Sequence, residues 1–417
     1  MAPQPEAMSL EANTLSGDMA VRTLFDSAPP LADVLADTGD RNCALAARFE
    51  AKSAHRDYLL RALRLSAQLG PQHARLRFWV DGAKTGDAET LKLVRSVWEE
   101  DSFPSWTGRE WGDKEISIVI GQLEAIDEEL AIAAARYIRP HLLAIEQPLA
   151  IALGVFAGRY AYSAFGIHCD VHLERVLHFH AGPGAKTLLV WPDKNDVQGL
   201  IGKFPDDEAL ETAQSLNAEA GDMLSVVSPT HHIGSAPEPC TNLCLLFTRF
   251  KPMEMLVDLA RELNWWRRDG LDSETNFAVD PVAYLPEAWR QQSMARVMEE
   301  AMWLKRLASL SNGGLAASPL PRKWIPARGQ LVRLAAPEVF PLLFAESFGQ
   351  TVMAARGKLR PLPDHKGLLA WCEALAAGET MEADELLTGP FSRDGTAQAG
   401  FVLQWLHQSG AIRFNRA

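Results

Sequence analysis

His168 and Asp170 stand as H-x-D within the segment AYSAFGIHCDVHLERVLHFHAGPGAKTLLVWP (161–192). On a β-strand, residues i and i+2 share one face, so one imidazole and one carboxylate can reach a single ion. A second histidine from a later strand would complete a set of two histidines and one carboxylate. Such a set leaves about three coordination positions open, an arrangement suited to non-haem iron(II) oxygenases. The open positions matter because a co-substrate must chelate the metal and oxygen must then bind beside it. By the same alternation Cys169 points away from the ion and reads as structural.

H-x-D tripeptides arise often by chance, so the surroundings carry the case. The pair is followed by the strand-like run RVLHFH (175–180), the turn AGPGA, the run KTLLVW (186–191), Gly221-Asp222, another apolar run and the pair His231-His232. Short apolar runs split by turn residues fill positions 149–250: IALGVFAG, RVLHFH, KTLLVW, DMLSVV and NLCLLFTRF. AGPG (181–184) reads as a hairpin between two of them. Several short strands in about a hundred residues indicate a jelly-roll or similar double-sheet fold.

Around this core the texture is helical. Residues 1–40 read as a partly ordered arm. Residues 41–148 read as a mostly helical N-terminal part, with helices over 41–69, 87–104 and 122–138 and a strand at 74–82. Residues 253–320 again show helical spacing, in 253–266 and 288–310, and SNGGLAASPLPRKWIP (311–326) reads as a linker. From 321 to 417 the order helix (HKGLLAWCEALAAG), short helix (MEADELL), helix (TAQAGFVLQWLHQSG) and strand (AIRF) resembles a winged-helix module. The expected class is therefore α+β: a double-stranded β-helix core at 149–252, flanking helices and a C-terminal winged-helix-like domain.

Composition bounds the partners. The chain has 417 residues, 47% apolar and 23% charged, ordinary for a globular protein with more than one core. Its net charge of −12 disfavours phosphate backbones and favours a basic peptide or protein. The third C-terminal helical segment, TAQAGFVLQWLHQ, has no Lys or Arg, which argues against a DNA-reading role and for packing or substrate docking. Five cysteines without CxxC spacing fit a reducing, cytoplasmic setting. The start of the chain has no secretory pattern, and the most apolar stretch, 142–158, is broken by Glu146, Gln147 and Pro148, against a membrane span.

The metal-motif segment resembles the JmjC and cupin-like family of 2-oxoglutarate oxygenases. In that family a G-D turn precedes the strand leading to the distal histidine, which lies ten residues beyond the aspartate. Here Gly221-Asp222 precedes MLSVVSPTHHIGSA, and the tenth residue past Asp222 is His232. His232-Ile-Gly-Ser-Ala also resembles the H-x-G-x-A of the bacterial ribosomal-protein hydroxylase branch. His231 stays as an alternative, because H-H-I-x-S occurs in the asparaginyl-hydroxylase branch with the first histidine binding. SPTH (228–231) departs from the family's usual P-x-x-W or P-P-G stretch and leaves that choice open.

The resemblance implies Fe(II) on His168, Asp170 and His232, with 2-oxoglutarate and O2 as co-substrates. It implies a cation for the far carboxylate of 2-oxoglutarate. Lys186, just past the AGPGA turn, takes that place with Thr187 beside it, and Arg249 is the alternative. His178 and His180 share a face with Val176 and would touch co-substrate or substrate if that face is interior. Tyr162 and Ser163, before the motif, are candidate hydrogen-bond donors to the co-substrate, and Asn242 a further lining residue. The motif likeness covers roughly residues 160–250; the layout beyond it resembles the bacterial ribosomal oxygenases, which suggests a homodimer through 253–310. The implied reaction is hydroxylation of a peptide or protein side chain, with a small metabolite or peptide natural product as runner-up. A metal-free cupin-like binding module or a DNA-binding regulator are the rivals from other classes.

Overall fold

The computed structural model describes residues 24–416 except 52, 71–74, 99–100, 171, 249, 252–254, 258, 260–290, 324–328, 348, 364–365 and 389–391. Its organising unit is a mixed helix-and-sheet core with a large antiparallel sheet. The strands are β1 (Cys43–Leu45), β2 (Arg77–Val80), β3 (Ala83–Lys84), β4 (Ile116–Gly121), β5 (Ile151–Tyr160), β6 (His168–Cys169), β7 (Leu173–Pro183), β8 (Lys186–Trp191), β9 (Gln214–Ala218), β10 (Met223–Val227) and β11 (His231–Thr248). The major path runs β1-β10-β7-β11-β5-β4-β2-β3, and β6, β8 and β9 join a minor sheet through β11.

β11 belongs to both sheets. Its first residues pair with β8 and β6, and from Cys240 onward it pairs with β5 and β7. The register breaks between Ala236 and Cys240, where Pro237 and Pro239 lack the N–H needed to continue a ladder. The two sheets close on each other through Leu188 and Val190 of β8, Ala218 of β9, and Leu224 and Val226 of β10.

The outer face of the major sheet is covered by helices. The helix Glu128–Ala144 is capped by Asp127, whose side chain accepts the Leu130 N–H, and it carries Glu128 and Glu129 in its first turn. Leu130, Ala134, Ile138 and Leu142 recur at helical spacing and are buried. They pack in one cluster with Leu153 and Val155 of β5 and with Leu177 and Phe179 of β7. Leu177 and Phe179 thus face the helices, which turns His178 and His180 into the space between the sheets.

Several expectations change. AGPG does not close a hairpin: β7 pairs with β10 and β11, while β8 pairs with β9 and β11, so the turn carries the chain from one sheet to the other. The expected helix 87–104 is two helices, Asp87–Arg95 and Phe103–Trp111; the second starts at a Ser102 capping box with Pro104 in its first turn. Residues 41–69 hold β1 and the helix Ser53–Leu69. In the arm, Leu24, Phe25, Leu31 and Val34 are packed into the main core, and residues 1–23 lie outside the described ones. The linker 311–326 is packed where it is described: Gly314 O accepts the Ile151 N–H, and a Cβ on Gly314 would lie 2.8 Å from Ile138 Cγ2.

Beyond the core, the helix Met294–Ser311 packs against the sheet β13 (Leu343–Ser347), β14 (Gln350–Ala355) and β15 (Lys358–Pro361). A third sheet has the order β16 (Met381–Glu382), β12 (Gln330–Leu334), β17 (Ile412–Arg416). Helices Lys366–Ala376, Ala383–Thr388 and Ser392–Gln408 follow the sequence order expected for the C-terminal part. The segment 253–266, with its WWRR, lies mostly outside the described residues. Among the described residues, no helix is long and apolar enough to cross a membrane.

Candidate metal centre

β6 and β11 lie side by side in antiparallel register, with His232 opposite His168 and His231 opposite Cys169. Parity then decides which side chains meet. On β8, Lys186, Leu188 and Val190 face the other sheet, and His232 and Gly234 pair with Val190 and Leu188. Ile233 points the other way, into a cluster with Ile167, Trp191, Val197 and Ala209. Full burial of an isoleucine side chain contributes roughly 1.5–3 kcal/mol. A one-residue slip would forfeit that burial and turn His231 inward instead. The apolar packing behind the strand therefore selects His232.

The arrangement brings His168, Asp170 and His232 together, with one potential ligand atom from each lying within 4.8 Å of the others. His168 Nε2 is 4.0 Å from Asp170 Oδ1, and His232 Nε2 is 3.7 Å from Asp170 Oδ2. Each ring's other nitrogen has a backbone partner: His168 Nδ1 lies 3.1 Å from Gly166 O, and His232 Nδ1 3.0 Å from Thr230 O. A carbonyl can only accept, so each Nδ1 carries the proton and each Nε2 turns a lone pair toward the shared point. Asp170 is held by its backbone, whose carbonyl accepts a hydrogen bond of 2.7 Å from Ser228 Oγ. Phe165 sets its ring edge-on against His168 at 4.6 Å.

The electrostatics favour neutral imidazoles. Burial lowers the His168 pKa, with the Asp170 carboxylate opposing it. Burial and the neighbouring His168 push His232 down to about 4. Neutral nitrogen donors beside one carboxylate are the donor set a divalent transition metal takes. The side chains of His168 and Asp170 are 29% and 30% exposed while that of His232 is 8% exposed, so the centre is open on one side and walled on the other. These residues fit a bound iron(II) ion.

The other residues singled out in the sequence divide. Lys186 is buried, with its Nζ 5.9 Å from the Phe156 ring centroid. His178, His180 and Asn242 are buried between the sheets with it. His180 Nδ1 lies 2.9 Å from Asn242 Oδ1 and its Nε2 2.7 Å from Gly184 O; His178 Nδ1 lies 3.1 Å from Cys244 Sγ. Burial, and then the Lys186 ammonium, lower the His178 pKa well below the usual range. Ser163 clips the approach to the motif onto β11, its N–H donating to Gly234 O and its Oγ accepting from Gly234 N.

Three candidates are not brought to the centre. Thr187 alternates away from Lys186 and donates to Asn217 Oδ1 on the exposed side. Tyr162 packs its ring against Phe204, on the outer face of the minor sheet. His231 faces away from the triad by register, and Arg249 lies outside the described residues.

Tyr160 is the residue that sequence reasoning missed. It ends β5, is buried, and turns its hydroxyl toward the same point as Lys186: a Cβ on Gly234 would lie 3.7 Å from each of Lys186 Cε and the Tyr160 hydroxyl. Burial raises its pKa well above the usual phenol range, so it stays a hydroxyl donor. A separate cleft of about 440 Å³, lined by Leu35, His141, Phe247 and Met302 among others, lies on the helix side of the major sheet and contains none of these groups.

No family model matches the sequence, and no curated protein matches it. Solved structures do. The ribosomal oxygenase YcfD from Escherichia coli is 15% identical, with 90% of this chain and 94% of that one covered, at a TM-score of 0.44. The same protein in complex with cobalt and 2-oxoglutarate is 15% identical over 93% of this chain and 99% of that one, at a TM-score of 0.46. An oxalate decarboxylase from Bacillus subtilis is 13% identical over 31% of this chain and 25% of that one, at a TM-score of 0.19. A ribosomal oxygenase is thus among the structural neighbours.

Proposed function

We propose that this chain is an iron(II)- and 2-oxoglutarate-dependent oxygenase that hydroxylates a side chain of a peptide or protein. The observation that carries it is the convergence of His168, Asp170 and His232, with both imidazole Nε2 atoms freed by carbonyl-bound Nδ1 atoms. Those three residues would hold the metal. Iron(II) held there would activate O2, the oxidant, with 2-oxoglutarate as the electron donor, so that one oxygen atom would go to succinate and the other to the substrate C–H bond. The chain's residues do the rest. Lys186 and Tyr160, which converge beside Gly234, would bind a carboxylate between the sheets, and the apolar wall of Leu188, Val190, Leu224 and Val226 would keep water from that side. The open side at His168 and Asp170 is where a substrate would enter.

The peptide substrate is supported by the net charge of −12, which favours a basic partner. In this reading the core is a double-stranded β-helix, and the C-terminal helices with β12, β16 and β17 form a winged-helix-like module for packing or substrate docking. The setting is cytoplasmic.

Reconstitution with iron(II) and 2-oxoglutarate tests the proposal: succinate should form, and mass spectrometry of candidate basic peptides should show a gain of one oxygen. Metal titration of the purified protein precedes it. A chain that takes up no divalent metal, or that binds metal and makes no succinate with any peptide or small molecule, ends the proposal.

A further inference from the structure

Gly234 sits on β11 two residues past His232, on the same face, with Lys186 and Tyr160 beside it. Its backbone does not require glycine: it lies in an extended strand and is absent from the positive-φ residues. The absence of a side chain therefore has to be explained by space. A Cβ there would project between the sheets, 3.5 Å from Leu188 Cδ2, 3.7 Å from Lys186 Cε and 3.7 Å from the Tyr160 hydroxyl. Those are ordinary contact distances, so alanine fits the empty fold without displacing backbone. What it would remove is the gap in which the ammonium stem and the hydroxyl converge.

We propose that Gly234 sets the length of the 2-oxo acid this site accepts, by leaving one methyl group's worth of room in front of Lys186 and Tyr160. The inference rests on the co-substrate assignment above and deepens it. A co-substrate chelated at the triad and gripped by Lys186 spans a fixed distance, and Gly234 lies beside that span. With glycine the gap takes a five-carbon dicarboxylate. With alanine the far carboxylate is pushed back from Lys186, and a four-carbon 2-oxo diacid such as oxaloacetate is disfavoured less. One methylene in a confined pocket discriminates by about 10- to 200-fold.

The experiment measures binding of 2-oxoglutarate and of oxaloacetate to the manganese(II)-loaded full chain by calorimetry, for wild type and Gly234→Ala. Circular dichroism and manganese affinity serve as controls for fold and triad. The expected result is an unchanged fold and metal affinity, with the 2-oxoglutarate-to-oxaloacetate affinity ratio lowered about tenfold or more. An unchanged ratio, or equal weakening of both acids, overturns the inference. Should Gly234→Ala not fold, Leu188→Val decides by the reciprocal measurement. Trimming the side chain 3.5 Å from the same point should raise the affinity for the six-carbon 2-oxoadipate relative to 2-oxoglutarate, and no such rise overturns the inference. Wild-type protein that binds metal but no 2-oxo acid would sink the co-substrate assignment itself; wild type that binds 2-oxoglutarate with selectivity untouched by either variant sinks only the role of Gly234.

Discussion

His168 and His232 face each other across two antiparallel strands with ring centroids 4.3 Å apart, and each is fixed by the carbonyl two residues before it, Gly166 or Thr230. The symmetry is local, since in each case the residues just before the strand supply the carbonyl that sets the tautomer of the ligand on it. Orientation is therefore built before any ion arrives.

The triad predicts a clean split between the two adjacent histidines. His168→Ala, Asp170→Ala and His232→Ala should each abolish metal-dependent succinate formation while leaving the far-ultraviolet circular dichroism unchanged. His231→Ala should keep turnover close to wild type, because Ile233 burial holds its neighbour, not itself, toward the ion. Full activity in His168→Ala or Asp170→Ala rules out the ligand assignment.

Lys186 predicts a co-substrate effect. A hydrogen bond to a charged group contributes about 1.5–3 kcal/mol, so Lys186→Ala should raise the 2-oxoglutarate requirement about 10- to 100-fold and leave peptide binding nearly untouched. Steady-state KM for 2-oxoglutarate against a peptide Kd separates the two. An unchanged requirement would move the role to Arg249.

Glu124 predicts a pH-dependent stability. It is almost fully buried, and burial raises its carboxyl from 4.5 to about 7 although Leu153 N–H and Ala317 N–H donate to it. The folded chain therefore holds a proton between about pH 4.5 and 7 that the unfolded chain releases. Its contribution is full below the lower value and is lost as pH rises to about 7, by about 3 kcal/mol in all. Buried histidines such as His232, with lowered pKa, act oppositely and lose stability as pH falls. Urea midpoints at pH 5 and pH 8 for wild type and Glu124→Gln isolate the term: the difference between the two proteins should change across that window, and a constant difference refutes it.

How much of this was legible in the sequence follows from what each signal encodes. Alternation placed His168 and Asp170 on one ion because it is a property of the local chain, and it put His178 and His180 on a common face for the same reason, whereas which side of the sheet that face covers depends on helices distant in sequence. The AGPG turn was misread because a turn residue specifies a change of direction and not which sheet the next strand joins. Thr187 was grouped with Lys186 by adjacency, although the same alternation separates them. Tyr160 gave no local signal: it reaches Lys186 only because β5 and β8 both pair with β11, a relation spanning some eighty residues. The split between the helices at 96–102 was readable in Ser102 and Pro104, whereas β12 to β15 lie in a stretch whose short, mixed runs have no clear period.

The segment before the motif gives the last prediction, in which one glycine serves both the ligand and the wall behind it. Gly166 has φ +71 and packs directly on the turn at Gly202: a Cβ on it would lie 2.4 Å from Gly202 C and 2.7 Å from Lys203 N. Both are backbone atoms and cannot move alone, because Ile167 N–H donates to Lys203 O and Gly202 N–H to Ile167 O. Gly166→Ala must then shift the residues leading into His168, including the carbonyl that holds its Nδ1. Overpacking of this kind costs about 1–3 kcal/mol, with a further ~1–2 kcal/mol for the left-handed backbone. Gly202→Ala has the same sign of φ, at +77, but meets nothing within 4 Å, so only the backbone penalty applies. Gly166→Ala should therefore lose metal affinity as well as stability, while Gly202→Ala loses about 1–2 kcal/mol of stability with metal affinity intact. Equal metal affinities in the two variants would show that His168 is oriented by something other than the Gly166 carbonyl.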